Sequence, residues 1–350
     1  MLRPLSIEEI VRQTGLEESL IRFYESEYPS DLPQKVFRGG GLSFDPGAVE
    51  SFKRIHALHN GIAGSAAALA APEHYARVIA ITSGKGGVGK TNLALNLSIE
   101  LQRFGKRCVL LDADMGMANV HLLAGIAPRH DIRELVTADR SILELIQEGP
   151  EGIGVIPGGG GILTLADSTR YDRMKIVRAL KEVELQAEII LVDTGAGMAA
   201  SVRDFLVAAD EVVFVLTPDI TSLADAYGLL KGLHHDRKFT ARPLYSVVNM
   251  AQTVQQAADV AVRFTACAKQ FLGREVKSIG YLLKDATVGA ATVRRTPYSV
   301  FRPQARVSIN TRNIATRLLQ DERSEMRVSS AFGRYLNLIR EPVHGEYTSV

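Results

Sequence analysis

The chain has 350 residues, 46% of them apolar, which leaves room for one large domain with a substantial core beside a small one. Its formal net charge is only +2, so global charge argues neither for nor against a nucleic-acid partner. The two cysteines, Cys108 and Cys267, are far apart and make no disulfide framework, which fits a reducing cytosol; the opening MLRPLSIEEIVRQ lacks the apolar core of a secretory signal, and no run of about 18 apolar residues is there to span a bilayer, so membrane contact is expected to be peripheral.

Residues 1–60 read as a small helical module. SIEEIVRQTGLEESLIRFYESE places an apolar first helix before a Thr14-Gly15 turn and a second helix that contains Arg22 and Tyr24. Arg38-Gly39-Gly40-Gly41-Leu42-Ser43-Phe44 reads as a wing, and 45–59 as a further helix with Asp45 as N-cap and Pro46 at its first position. The arrangement resembles a MerR-type helix-turn-helix. That resemblance puts Arg22, Tyr24 and Arg38 next to DNA phosphates. The module holds seven Lys and Arg against nine Asp and Glu, a balance that favours protein docking nearly as much as DNA.

Residues 61–76, GIAGSAAALAAPEHYA, read as a linker or weak helix, and 77–320 as the large domain. In it, apolar runs at 78–82, 108–112, 153–157, 188–193, 211–217, 244–249 and 278–282 alternate with longer amphipathic stretches. That alternation predicts an α/β fold: a doubly wound, mostly parallel sheet with helices on both faces and ligands at the carboxyl ends of its strands.

The first run is followed by Ser83-Gly84-Lys85-Gly86-Gly87-Val88-Gly89-Lys90-Thr91 and a helix that begins near Asn92. Gly84, Gly89, Lys90 and Thr91 satisfy the phosphate-loop pattern, between a strand and a helix as the chemistry demands. Glycines let successive N–H groups turn onto phosphate oxygens, Lys90 supplies a point charge, and the Thr91 hydroxyl is suited to Mg²⁺. Carboxylates follow the second run at Asp112 and Asp114 and end the fourth at Asp193, before a Gly-containing turn. They read as the groups that order a magnesium shell and an attacking water: Asp114 for the water, Asp112 for the magnesium shell and switch, Asp193 for a Walker B role.

Lys85 is superfluous in an ordinary phosphate loop. GKGGVGKT resembles the signature of the deviant Walker ATPases, the MinD/ParA superfamily. The resemblance implies that Lys85 reaches across a dimer interface to the partner's nucleotide, so that ATP and Mg²⁺ hold two copies face to face until slow hydrolysis to ADP. It also implies that Asn249, at the end of the sixth run, helps recognise adenine. Relatives often carry a Pro in the later adenine-side loop, where this chain has Leu282-Leu283-Lys284-Asp285. ParA proteins usually have D-x-D-P-Q-G after the second strand; DADMGMANVHLLAG looks like the MinD and FlhG (FleN) branch instead. So do GPEGIGVIPGGGG, LVDTGAGMAASVRDFLVAADEVVFVLTPDITSLADAYGLLK and RRTPYSVFRPQA. FlhG proteins are ATPases that control the number and placement of flagella, which implies flagellar assembly proteins or a transcription regulator as partners. The short Gln-containing segment by which they stimulate the GTPase FlhF has no counterpart here, so that route is not expected. Two other readings remain open: a ParA-like DNA-partition ATPase and an ATP-gated transcriptional regulator.

From Ala286 to Gln320 there are six arginines and no acid, a surface suited to phosphates or simply a solvated helix face. In the tail, 321–350, Phe332, Tyr335, Leu336 and Ile339 fall at i, i+3, i+4 and i+7 beside Arg334 and Arg340. The stripe reads either as a helix packed on its own domain or as an amphipathic helix for an anionic membrane. MinD and FlhG relatives expose such a helix when ATP drives dimerisation, which implies a cytoplasmic protein reversibly peripheral to the inner face of the membrane.

Overall fold

The computed structural model describes residues 5–16, 18, 21–22, 24, 32, 36–38, 41–60, 75–114, 118–138, 140–159, 170–236, 239, 242–321 and 330–340. Two compact units emerge, one within residues 1–72 with 169–171 and the other within 73–168 and 172–350. Most of the expected linker, 61–74, lies outside the described residues, as do Gly39-Gly40, Met115–Met117, 160–169 and much of the tail.

In the small unit, the helix Ile7–Thr14 starts on a capping box, with Glu9 N–H donating to Ser6 Oγ and Ser6 N–H to Glu9 Oε2. It ends on Gly15 in the left-handed region. Strands β1 (Val36–Arg38) and β2 (Gly41–Ser43) form the wing hairpin, with Arg38 opposite Gly41. The next helix is Ala48–Asn60, two residues later than Pro46 suggested, because Asp45 Oδ1 accepts from Gly47 N–H and holds a turn there. Tyr24 corrects the sequence reading. It is wholly buried, its hydroxyl shares a 2.9 Å hydrogen bond with His56 Nδ1, and its ring meets the imidazole edge-on. A buried ring with a satisfied hydroxyl is a core residue, not a phosphate contact. Arg22 is exposed and paired with Glu18 at 2.6 Å.

The large unit is built on β3 (Arg77–Thr82), β4 (Cys108–Ala113), β5 (Gln147–Glu148), β6 (Gly154–Ile156), β7 (Ile189–Thr194), β8 (Glu211–Leu216), β9 (Leu244–Ala251) and β10 (Lys277–Leu283). They form one sheet in the order β10-β9-β8-β3-β7-β4-β6-β5, parallel except for the β5–β6 pair. Every residue of β3, β4, β7 and β8 is buried, which is why these strands read as unbroken apolar runs. Arg77 ties the layers together: its guanidinium grips Glu211 bidentately, at 2.8 and 2.6 Å, and donates to the Leu318 carbonyl. Both charges are buried, so they stabilise only as a pair.

The helix Arg306–Gln320 packs on the helix that follows the phosphate loop. Arg312 reaches buried Glu100 at 2.9 Å, Arg317 donates to the Ile279 carbonyl, and Arg294 and Arg302 lie over the Phe301 ring. Most of the basic tract is therefore committed internally.

The described part of the tail, Ala331–Arg340, is a helix, and its apolar stripe is covered. Phe332, Tyr335, Leu336 and Ile339 are all buried, with Tyr335 edge-on to Phe205 of the helix Ala200–Ala208 at 4.8 Å. Arg334 donates to the Ala208 carbonyl and pairs with Asp210 at 2.5 Å. Glu184 caps the helix start, accepting from Ala331 N–H at 2.7 Å, Phe332 N–H at 3.3 Å and the Ser330 hydroxyl. Of the two sequence readings, packing on its own domain describes this structure.

Candidate nucleotide site

The carboxyl ends of the central strands converge on one cavity of about 850 Å³. Its floor is the loop between β3 and the helix Lys90–Arg103, and Gly86, Gly87, Gly89, Lys90, Thr91 and Asn92 line it. Ser83 Oγ donates to the Lys85 carbonyl at 2.7 Å and bends the loop entry. Gly84 is required by contact rather than by torsion: a Cβ there would collide with the backbone of Asp225 and Ala226 in the helix Ile220–His234. From the far side Asn249, at the end of β9, donates from Nδ2 to the Val88 carbonyl at 2.8 Å, and its Oδ1 accepts from Met250 N–H. In this structure Asn249 braces the phosphate loop, with Met250 beside it on the cavity wall.

The carboxylates separate by depth. Asp114 lines the cavity, whereas Asp112 is wholly buried and does not. Asp112 accepts from Val120 N–H at 3.1 Å and from Asp114 N–H at 3.3 Å, so it anchors the start of the helix Val120–Ala124. Burial and then the neighbouring Asp193 push its pKa up to about 8. Asp193 lies beneath the loop, and burial raises its pKa to about 7 although Thr91 and Lys90 pull the other way. The loop after β7 is tied to the phosphate loop by Gly197 N–H donating to the Ser83 carbonyl, and the strand ends beneath are linked by Thr194 Oγ1 donating to the Ile81 carbonyl.

Among the described residues, neither buried Asp193 oxygen has a partner in strict hydrogen-bond geometry. An orphaned carboxylate beside a threonine hydroxyl is what the water shell of a phosphate-bound Mg²⁺ satisfies. Among the described residues no three His, Cys, Asp or Glu side chains converge to cage a cation. Of the residues expected at a metal, Thr91 lines the cavity and Asp193 lies beside it, while Asp112 is engaged by backbone amides.

Lys85 points elsewhere. Its Nζ lies 2.5 Å from Asp219 Oδ2 and 2.7 Å from Thr221 Oγ1, in a second, open recess of about 380 Å³ lined also by Gly86, Gly87, Val88 and Gln256. Asp219 is at the same time the N-cap of the helix Ile220–His234, and the Lys85 ammonium first, then the Thr221 N–H, holds its pKa down at about 2. Sequence reasoning missed Asp219 and Thr221; the signal available was an N-cap Asp after a strand and a Pro. It also missed Asn119, Leu122, Leu123, Thr292 and Arg295 on the cavity wall. Asn119, Leu122 and Leu123 lie in DADMGMANVHLLAG and Arg295 in RRTPYSVFRPQA, but nothing in either stretch places these residues on the cavity wall.

Buried Lys90 in a Gly-rich loop between strand and helix, above carboxylates at neighbouring strand ends, defines a P-loop ATPase, and the second loop lysine, Lys85, marks the deviant Walker kind. Comparison with known proteins agrees. The AAA domain family model matches residues 76–241, and the MerR HTH family regulatory protein model matches 5–64. The chain is 31% identical over 246 residues to the antiactivator FleN of Pseudomonas aeruginosa, covering 70% of this chain and 87% of that protein. It is 37% identical over 155 residues to the flagellum site-determining protein YlxH of Helicobacter pylori, covering 44% of this chain and 53% of that one. In fold it is similar to the cell division ATPase MinD of Pyrococcus furiosus, with a TM-score of 0.59, 21% identity, and coverage of 70% and 98%. The chain belongs to the FlhG (FleN) branch of the MinD/ParA ATPases, with a MerR-type module ahead of an ATP-hydrolysing domain.

Proposed function

We propose that the chain is an ATP-timed switch: Mg²⁺–ATP assembles two copies face to face, and slow hydrolysis to ADP returns them to monomers. The observation that carries this reading is Lys85. It stands outside its own nucleotide cavity, on a half-exposed ion pair, on the open side of the phosphate loop. Lys90 and Thr91 hold the nucleotide phosphates, Asp114 positions the attacking water, and Asp112 couples the site to the helix Val120–Ala124. Asp193 beside Thr91 orders the shell of the magnesium ion, whose chemistry is to neutralise the phosphate charge that develops. Light scattering of the protein with ATP, with ADP and without nucleotide tests the switch. A dimer is expected only with ATP, and a single mass in all three states would overturn it.

The process controlled is flagellar number or placement, by kinship with the antiactivator FleN and the flagellum site-determining protein YlxH. The MerR-type module contributes DNA or protein docking, with Arg22 and Arg38 as the phosphate contacts if the partner is DNA. The C-terminal helix contributes reversible contact with an anionic membrane once it leaves its dock, which makes the protein cytoplasmic and transiently peripheral. Among the described residues no helix is long and apolar enough to cross a membrane. Deleting the protein and counting flagella per cell tests the assignment, and normal flagellation with failed DNA segregation would select a ParA-like partition role instead. A second reading, an ATP-gated transcriptional regulator, is favoured by the MerR match. Turnover stimulated by DNA and not by lipid would select it.

A further inference from the structure

Six arginines lie between Ala286 and Gln320, and four are committed to Glu100, the Ile279 carbonyl or the Phe301 ring. Arg295 is different. It lines the same cavity as the phosphate loop, is exposed there, and has no side-chain hydrogen bond, ion pair or ring contact among the described residues.

Its backbone is also unusual. The helix Ala286–Val293 ends in a Schellman motif, with Arg295 N–H donating to the Thr292 carbonyl and Thr296 N–H to the Ala291 carbonyl. The residue between these bonds must be left-handed, and glycine is the usual occupant. Arg295 holds that position at φ 49°. Its carbonyl is seated against Gly125, at the end of Val120–Ala124, where a Cβ would come within 2.6 Å of the oxygen. A left-handed backbone seated against Gly125 thus sets on the wall of the phosphate-loop cavity an arginine whose side chain has no partner among the described residues.

We propose that Arg295 is a nucleotide-binding residue: its guanidinium engages the polyphosphate of the bound nucleoside triphosphate from the wall formed by Thr292–Arg295 and Val120–Ala124. This rests on the assignment of the cavity as the nucleotide site. The fixed backbone spares ordering cost on binding, and a guanidinium takes phosphate oxygens in a charge-assisted fork. It supplies a second cation beside Lys90 while Lys85 is held on Asp219.

The test is titration of a fluorescent ATP analogue into the full chain, with adenosine as a second ligand and thermal melts alongside. R295G is expected to lower ATP affinity about tenfold and adenosine affinity little, as loss of a charge-assisted contact requires. Its nucleotide-free melting temperature should hold or rise, because glycine relieves the left-handed strain. R295K should recover most of the ATP affinity by charge alone. Wild-type ATP affinity in R295G, or equal losses for ATP and adenosine, would overturn the proposal. K90A separates the two levels: loss of ATP binding in K90A with normal binding in R295G rejects Arg295 alone, whereas normal binding in K90A rejects the cavity assignment beneath it.

Discussion

Lys85 and Asp219, 134 residues apart, are joined by a 2.5 Å ion pair between the phosphate loop and the cap of a neighbouring helix. The lysine that the proposed switch sends to a partner's nucleotide is thus held by its own chain. Asp219 serves two partners at once, accepting from the Thr221 N–H and hydroxyl at the start of the helix Ile220–His234 and from Lys85 Nζ. Any movement of Lys85 to a second subunit must break the latter while the former persists.

Asp219→Asn separates these roles, since asparagine keeps the capping oxygen and loses the charge. The expected outcome is an ATP-dependent dimer that forms at severalfold lower protein concentration, read by sedimentation velocity. Lys85→Ala should bind ATP as a monomer. If Asp219→Asn dimerises along the wild-type curve, the ion pair does not restrain assembly.

Gly84 abuts the Asp225–Ala226 backbone, which has no flexible end to yield. Gly84→Ala must displace either the loop or the helix Ile220–His234, and overpacking of this kind costs about 1–3 kcal/mol. A lowered melting temperature together with lost ATP binding is expected. Gly86 has open space where a Cβ would stand, so Gly86→Ala should leave the fold's stability nearly unchanged. Equal melting temperatures for the two variants would refute the packing argument.

Burial is the first cause that raises the pKa of Asp112 to about 8, of Asp193 to about 7 and of Glu184 to about 7. In the unfolded chain these carboxyls titrate near pH 4, so between about pH 4 and 8 the folded state binds more protons and stability falls as pH rises. The nucleotide-free protein should therefore melt higher at pH 6 than at pH 8. Asp193→Asn, which is neutral throughout, should shrink the difference. A melting temperature that climbs from pH 6 to pH 8 would contradict the assignment.

What could be read in the sequence was what is local. The phosphate loop is one contiguous pattern, and each buried strand announces itself as an apolar run. The same pattern logic failed at Tyr24, because helix periodicity gives a face but not what lies opposite, and here His56, 32 residues on, takes the hydroxyl. Lys85 was legible, but its tether was not, since nothing near Asp219 in sequence refers to residue 85. Asp112 and Asp114 follow the same strand two residues apart, and only the fold shows one under backbone amides and the other on the cavity wall. For the C-terminal stripe, spacing established amphipathicity and left the covering surface undetermined.

That cover changes how the C-terminal helix must be tested. Phe332 and Tyr335 are fully buried against the domain, so truncating either to alanine should cost about 3–5 kcal/mol of stability and would confound any lipid assay. Glu184 offers a cleaner handle, because among the described residues its carboxylate bonds only the helix start, through Ala331 N–H, Phe332 N–H and the Ser330 hydroxyl. Glu184→Gln replaces charge-assisted bonds by neutral ones and should loosen the dock without emptying the core. If the helix is the membrane contact, this variant should sediment with anionic liposomes without ATP, while the wild type does so only with ATP. A Glu184→Gln protein that melts lower yet stays off liposomes in both states would assign the helix to packing alone.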